Sequence, residues 1–299
     1  MDKLISIIIP VFNRESLVGE TLDSILGQSY TLWECILVDD GSSDGTMDVL
    51  RRYQLMDERF RVCQRPDSAV KGAPSCRNYG FSKSTGDVIQ FFDSDDIMLP
   101  DMLTDKLRYL NDNPDAAFVV SKMGEFDEDG MRPAPQYAIT SDRITLDFLR
   151  YKVYFLTPGP MFRRKFLEKF PIKFDVELKK NQEREFYSRI ILEEQTFGTI
   201  EKTHCLRRIH KDSVANFHKE SDLRKKLTTK LDFFIRLRKN TFGKYDKVLF
   251  SAYHKELFKL SIHLTRNFEF RSALECIILF FSLFLASIKG RSDTEVSDQ

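Results

Sequence analysis

The chain has 299 residues, 42% hydrophobic and 12% aromatic, enough apolar material for one large domain or a domain with an appendage. Its 46 basic and 45 acidic residues nearly cancel, which excludes the global field of a nucleic-acid binder, so no nucleic-acid partner is expected. Five scattered cysteines (Cys35, Cys63, Cys76, Cys205, Cys276) lack paired spacing, which argues against a disulfide or zinc framework and for a reducing compartment.

Leu4 to Ile9 is the first apolar run, a strand too short for a signal-peptide core or a membrane span, so a cytoplasmic protein is expected. Leu17, Val18, Thr21, Leu22, Ile25 and Leu26 recur at helical spacing, and Trp33 to Val38 returns as a strand ending in Asp39-Asp40-Gly41. This is one βαβ unit. The pattern then predicts a helix over Thr46 to Tyr53, a short strand over Arg61 to Gln64, and a helix over Pro74 to Lys83. A buried strand follows over Val88 to Phe92. Two strand ends therefore carry aspartates, and in open α/β sheets ligands bind beyond the carboxyl ends of the strands. Pro100 to Leu110 reads as a helix opened by proline and Ala116 to Ser121 as a strand. Around Gly130 and Pro133-Ala134-Pro135 a loop or hairpin is expected, then a return to Gly159-Pro160-Met161-Phe162 and a helix containing Glu183 to Leu192. From about Ser221 long basic and apolar helical patterns take over.

Two acidic turns carry the chemistry. Asp93, Asp95 and Asp96 crowd into four positions behind an apolar strand. Like charges this close raise one another's pKa unless a cation compensates, and Mg²⁺ is usually shared between one or two carboxylates and substrate phosphates. A polar turn capping the helix near Pro100 explains the same residues equally well. In Val38 to Thr46 a turn with Asp44 as N-cap accounts for Gly41, Asp44 and Gly45, but not for the adjacent Asp39 and Asp40. Neither GxGxxG nor a Walker lysine is present, which removes the commonest dinucleotide and P-loop readings.

Several blocks together, Ser6 to Arg14, Ser24 to Tyr30, Val38 to Thr46, Gly72 to Gly80 and Gly86 to Pro100, resemble the family 2 glycosyltransferases in order and spacing over the first 110 residues or so. The resemblance implies an α/β fold of GT-A type, that of nucleotide-diphospho-sugar transferases: a Rossmann-like, mainly parallel sheet flanked by helices, with a C-terminal helical appendage. With the change of composition at about Ser221, the chain is expected to divide into a catalytic domain over residues 1–220, a helical region over 221–290 and a disordered tail over 291–299. The resemblance also implies Mn²⁺ or Mg²⁺ as cofactor and inverting transfer of a sugar, hexosyl or N-acetylhexosaminyl, from a nucleotide diphosphate, with UDP-sugars first. The acceptor would be a glycan or lipid-linked saccharide of surface polysaccharide biosynthesis.

Position by position, the resemblance sets Pro10, Phe12 and Asn13 along the nucleotide, Phe12 against base or ribose, and Asp40 as acceptor of a hydrogen bond from the base. Arg77 would approach the nucleotide or its diphosphate. Asp93, Ser94 and Asp95 fall on the metal-diphosphate segment, with Asp95 ahead of Asp93 as direct ligand. Gln182 to Ile190 resembles the catalytic segment; registered on Arg189, it puts Glu183 in the place of the usual aspartate base, with Gln182 departing from the customary glutamate and Glu185 as competitor. Proton removal from the acceptor hydroxyl suits a carboxylate. Arg207 to Ser213 resembles a later segment whose histidine, His210 here, completes the metal or diphosphate site. Two other readings stay open: a non-catalytic glycan- or nucleotide-sugar-binding relative, and a nucleotidyltransferase, which lacks support from a glycine-rich, lysine-bearing N-terminal loop.

Ala273 to Ile288 is almost wholly apolar yet shorter than the roughly 20 residues of a spanning helix. Between Lys202 and Lys244, 13 Lys or Arg face four acidic residues. The combination suits peripheral contact with the inner face of an anionic membrane; packing on the catalytic domain or forming a homo-oligomer are the alternatives.

Overall fold

The computed structural model describes residues 2–132, 137–169, 173–194, 196–209, 223–266 and 270–292. Strands β1 (Ile5–Val11), β2 (Trp33–Asp39), β3 (Phe60–Gln64) and β4 (Val88–Phe91) are joined by helices α1 (Val18–Leu26), α2 (Thr46–Met56) and α3 (Ala73–Lys83). β1, β2 and β4 are almost entirely buried, as their unbroken apolar runs require of parallel strands covered on both faces. α1 buries Val18, Thr21, Leu22 and Ile25, one stripe at helical spacing. Gly80 lets α3 lie close on the sheet: a Cβ there would stand 2.5 Å from Ile8 Cγ2.

The chain continues through β5 (Ile97–Met98), α4 (Met102–Asp112), β6 (Phe118–Asp127), β7 (Gly130–Met131), α5 (Ile144–Leu149) and β8 (Pro160–Arg163). α6 (Arg164–Lys169), α7 (Gln182–Glu193) and β9 (Phe197–Arg208) complete the sheet region. Among the described residues the strands form one sheet in the order β3-β2-β1-β4-β8-β6-β9-β5, with β7 as a hairpin on β6. The β3-β2-β1-β4 run is parallel, as is β6 beside β9; β8 enters antiparallel between β4 and β6. Val11 pairs with Asp39 and Ile8 with Phe91, so the carboxyl ends of β1, β2 and β4 open on one edge. One face of the sheet is covered by α1, α2 and α4 around Ile7, Leu22, Leu37 and Leu107. The other is dominated by aromatic rings, with Phe91, Phe118, Phe162 and Phe186 in contact.

Three helices follow, α8 (Leu223–Asn240), α9 (Asp246–Arg266) and α10 (Phe270–Ser292). They share a core built on Phe233, Leu237, Tyr253 and Leu279, which reaches the sheet region through Leu149 of α5 and Leu192 of α7. α10 runs to Ser292, two residues into the expected tail; residues 293–299 and the Pro133-Ala134-Pro135 segment lie outside the described residues. Among the described residues no helix is long and apolar enough to cross a membrane.

Two expected boundaries move. The helix after the aspartate cluster begins at Met102, and β5 lies between it and Asp96, with Ile97 and Met98 paired to Leu206 and Cys205 of β9. The aspartates therefore do not cap α4; they occupy a turn clamped by strands at both ends.

Candidate active site

The turns after β1 and β2 are tied together first. Asn13 adopts a left-handed backbone (φ 49°), donates its N–H to Ser42 Oγ at 2.9 Å and accepts the Ser43 N–H on Oδ1 at 2.8 Å. Asp39 accepts the N–H groups of Gly41 and Ser42, so it builds the turn, helped by Gly41 at φ 83°. That frees Asp40, buried, to pair with Arg65 Nε at 2.5 Å. Arg65, which no local pattern marks, reaches Asp40 from the loop after β3 and is held by the Pro66 and Ala69 carbonyls. Pro10 sits half-buried on β1 opposite Val38, and Phe12 stands exposed beyond it with Lys71 Nζ 4.0 Å from its ring centre.

The second group hangs from β4. Arg77 of α3, buried, pairs with Asp93 at 2.7 Å, and Arg14 Nη2 approaches Asp95 Oδ2 at 3.3 Å. The Nε atoms of Arg14 and Arg77 are buried and make no hydrogen bond among the described residues. Ser94 is buried in the turn. Arg208, at the end of β9, fastens the turn by donating its N–H to Asp96 Oδ1 and its Nε to the Asp95 carbonyl, both at 3.1 Å. Burial, with repulsion from Asp93 and Asp95, pushes the Asp96 carboxyl well above the ordinary carboxylate range. Asp93 is also raised: the protein around it disfavours its charge, Arg77 opposes this, and Asp95 and Glu183 add repulsion. A third of its side chain still meets solvent.

The first turn of α7 separates the two candidate bases. Glu185 is fully buried and bidentate to Arg189, at 2.7 and 2.8 Å, with Asn240 Nδ2 of α8 at 3.0 Å. It is committed to joining α7 to the C-terminal helices. Glu183 is half-buried, makes no hydrogen bond or ion pair among the described residues, and lies near enough to Asp93, Tyr154 and Tyr187 to disfavour their charged forms. Gln182 turns back to the carbonyls of Leu178 and Lys179, so its departure from glutamate leaves no gap beside Glu183. His210 lies outside the described residues.

The donor set suits a hard divalent cation in a restricted sense. Among the described residues no group of three His, Cys, Asp or Glu side chains forms a ready cage. One or two carboxylates are what Mg²⁺ usually shares with substrate phosphates, and Asp93 and Asp95, each beside an arginine, are of that oxygen-donor type.

Comparisons with known proteins bear on the family and the fold. TuaG of Bacillus subtilis (strain 168), a glycosyltransferase named for teichuronic acid biosynthesis, is 33% identical over 144 residues, 48% of this chain and 56% of that protein. The chain spans about half the length of the curated relatives it matches. The crystal structure of S. aureus TarS 1-349 in complex with UDP-GlcNAc superposes with a TM-score of 0.63 at 17% identity, covering 96% of this chain and 92% of that one. Mannosyltransferase PcManGT from Pyrobaculum calidifontis, in complex with GDP-Man and Mn²⁺, gives a TM-score of 0.59 at 17% identity over 98% and 80% of the two chains. These likenesses establish the GT-A type fold. The glycosyl transferase family 2 profile matches residues 6–170, more than half of the chain, and the protein belongs to that family.

Proposed function

We propose that the protein is an inverting, metal-dependent glycosyltransferase that takes a sugar from UDP and transfers it to a saccharide acceptor, free or lipid-linked, in surface polysaccharide synthesis. The observation that carries this reading is the approach of two acidic elements. A charge-crowded Asp93-Ser94-Asp95-Asp96 turn faces Glu183, which holds no partner among the described residues. TarS with UDP-GlcNAc and TuaG, named for teichuronic acid, support the donor and acceptor classes.

In this reading the Asn13 and Asp40 turns receive the nucleoside, Phe12 packing against its base or ribose and Arg65 orienting the Asp40 carboxylate. Asp95, with Asp93, would hold Mn²⁺ or Mg²⁺ together with the diphosphate, where the ion supplies Lewis-acid stabilisation of the departing nucleoside diphosphate. Arg14 and Arg77, whose Nε atoms make no hydrogen bond among the described residues, add positive potential on the same group. Glu183 removes the acceptor hydroxyl proton as that oxygen attacks the anomeric carbon from the face opposite the diphosphate, which inverts the centre. The decisive experiment is a panel of nucleotide sugars with Mn²⁺ or Mg²⁺, scored by release of nucleoside diphosphate. Metal-dependent release from a UDP-sugar is expected; binding of UDP-sugars without release under any acceptor or metal would reduce the protein to a binding relative.

Membrane contact belongs to the same proposal. α10 exposes Leu274, Ile277, Ile278, Phe281 and Leu285 along one stripe, continued by Phe258 and Ile262 of α9. The full chain should float with anionic liposomes, and Ile278→Glu with Phe281→Glu should abolish flotation. Equal flotation of the two would remove the membrane contact.

A further inference from the structure

Lys106 of α4 is fully buried, yet no carboxylate pairs with it among the described residues. Its ammonium group donates to Gln90 Oε1 at 3.1 Å and to the carbonyls of Pro158 and Gly159, both at 2.8 Å. An ammonium has three hydrogens, and these three acceptors use them all. Gln90 of β4, equally buried, points its amide nitrogen at the carbonyls of Phe91, Pro158 and Pro160, at 2.7, 3.1 and 3.2 Å. A charge withdrawn so completely from water is costly, and burial alone pushes this ammonium down to about 7. An apolar side chain would fill the volume without that cost. What the lysine adds is a fixed position for the turn over residues 157–160.

That turn touches both halves of the site. On one side Gln90 and Lys106 bind it to β4, two residues before Asp93. On the other its Thr157 carbonyl accepts the hydroxyl of Tyr187 at 3.1 Å. Tyr187 lies one helical turn beyond Glu183 on α7, fully buried, and feels the charges of Arg77, Asp93 and Glu183. Beside the Phe91–Phe186 ring contact, the turn is thus a hydrogen-bonded bridge between the strand end that carries the aspartates and the helix that carries the proposed base. Gly159 belongs to the same joint: its carbonyl also accepts the Ser121 N–H of β6 at 3.1 Å, and a Cβ on it would meet the Leu156 carbonyl at 3.2 Å.

We propose that Lys106, acting with Gln90 through this turn, is a positioning residue that sets the separation between the Asp93–Asp96 turn and Glu183. The inference rests on the assignment of Glu183 as base and of the aspartate turn as the diphosphate site. Lys106 touches neither donor nor acceptor. Its effect is on geometry, and a displacement of about 1 Å at a reacting centre is enough to cost on the order of 10²-fold in rate.

The test uses the full chain with Lys106→Met, which keeps the stem length, and Tyr187→Phe, which removes a single hydrogen bond and so leaves the question answerable if the first variant does not fold. Amide hydrogen exchange reads the effect without metal or substrate. In either variant the start of α7 should exchange about 10-fold faster, with β1 and β2 unchanged and with UDP affinity by calorimetry unchanged. With UDP-N-acetylglucosamine and Mn²⁺, kcat for UDP release should fall about 10-fold or more while the donor KM moves less than about 2-fold. The double variant should lose little more than the worse single one, because both act on one turn. Unchanged exchange at the start of α7 overturns the proposal, as do additive losses or a parallel loss of UDP affinity. Full activity of Lys106→Met beside an inactive Glu183→Gln overturns the spacer role and leaves the base assignment standing; an active Glu183→Gln removes the base assignment instead.

Discussion

The turn after β4 and the first turn of α7 each crowd acidic residues into a few positions, and the protein treats them in opposite ways. In α7 the buried Glu185 is neutralised by Arg189 and accepts a hydrogen bond from Asn240, and it behaves as part of the frame. In the β4–β5 turn Asp93 and Asp96 are held above their ordinary pKa by burial and by neighbouring carboxylates, even with Arg77 and Arg208 in contact. The balanced carboxylate holds the fold together; the surplus ones are those we propose take a ligand. Glu183, two residues from Glu185 and without a partner among the described residues, falls on the surplus side.

Substitution can break the comparison at its strongest point. Asp95→Asn removes charge from the surplus turn, and transfer should fall about 10³-fold, the several kcal/mol a metal ion contributes to stabilising developing charge. Nucleoside diphosphate release at saturating Mn²⁺ measures this. Glu183→Gln should lower kcat about 10²-fold or more, the range of general-base catalysis, with little change in donor KM. If Glu183→Gln left kcat intact, an unpartnered carboxylate would no longer mark function here. Glu185→Gln should do the reverse, costing about 3 kcal/mol of stability in urea denaturation because it leaves Arg189 buried without its counter-charge. The folded fraction should keep its kcat.

How much of this was legible beforehand follows from the reach of each interaction. The strands and helices of the first third declare themselves through local periodicity, and every one of them forms within a few residues of its expected ends. The aspartate turn was visible too, but whether it capped a helix or served a site was not. That depends on β5, a two-residue strand whose existence is decided by β9 more than 100 positions later. Arg65, Arg14 and Arg208 were invisible as site residues for the same reason: each meets its aspartate only when separate elements converge. The choice between Glu183 and Glu185 was undecidable on a mixed-charge helix: Arg189, four residues on, claims Glu185, but its burial beside Asn240, 55 positions away, comes only with the fold.

A smaller effect sharpens the same distinction on β2. Glu34 is a balanced carboxylate: burial would raise its pKa, but the Thr85 N–H, the Ser6 hydroxyl and Arg61 outweigh this and hold it below the ordinary value. A depressed folded-state pKa means that the unfolded chain binds the proton more readily. The stabilisation is therefore fully present above the unfolded pKa of about 4.3 and is lost as pH falls through the folded value beneath it. Glu34→Gln should destabilise the protein by about 1 to 3 kcal/mol at pH 7, the range for hydrogen bonds to a charged group. Measured by urea unfolding, the gap between variant and parent should narrow steadily below about pH 4. A gap that stayed constant down to pH 3 would assign the loss to shape rather than charge, and Glu34 would then offer no contrast with the carboxylates of the β4–β5 turn.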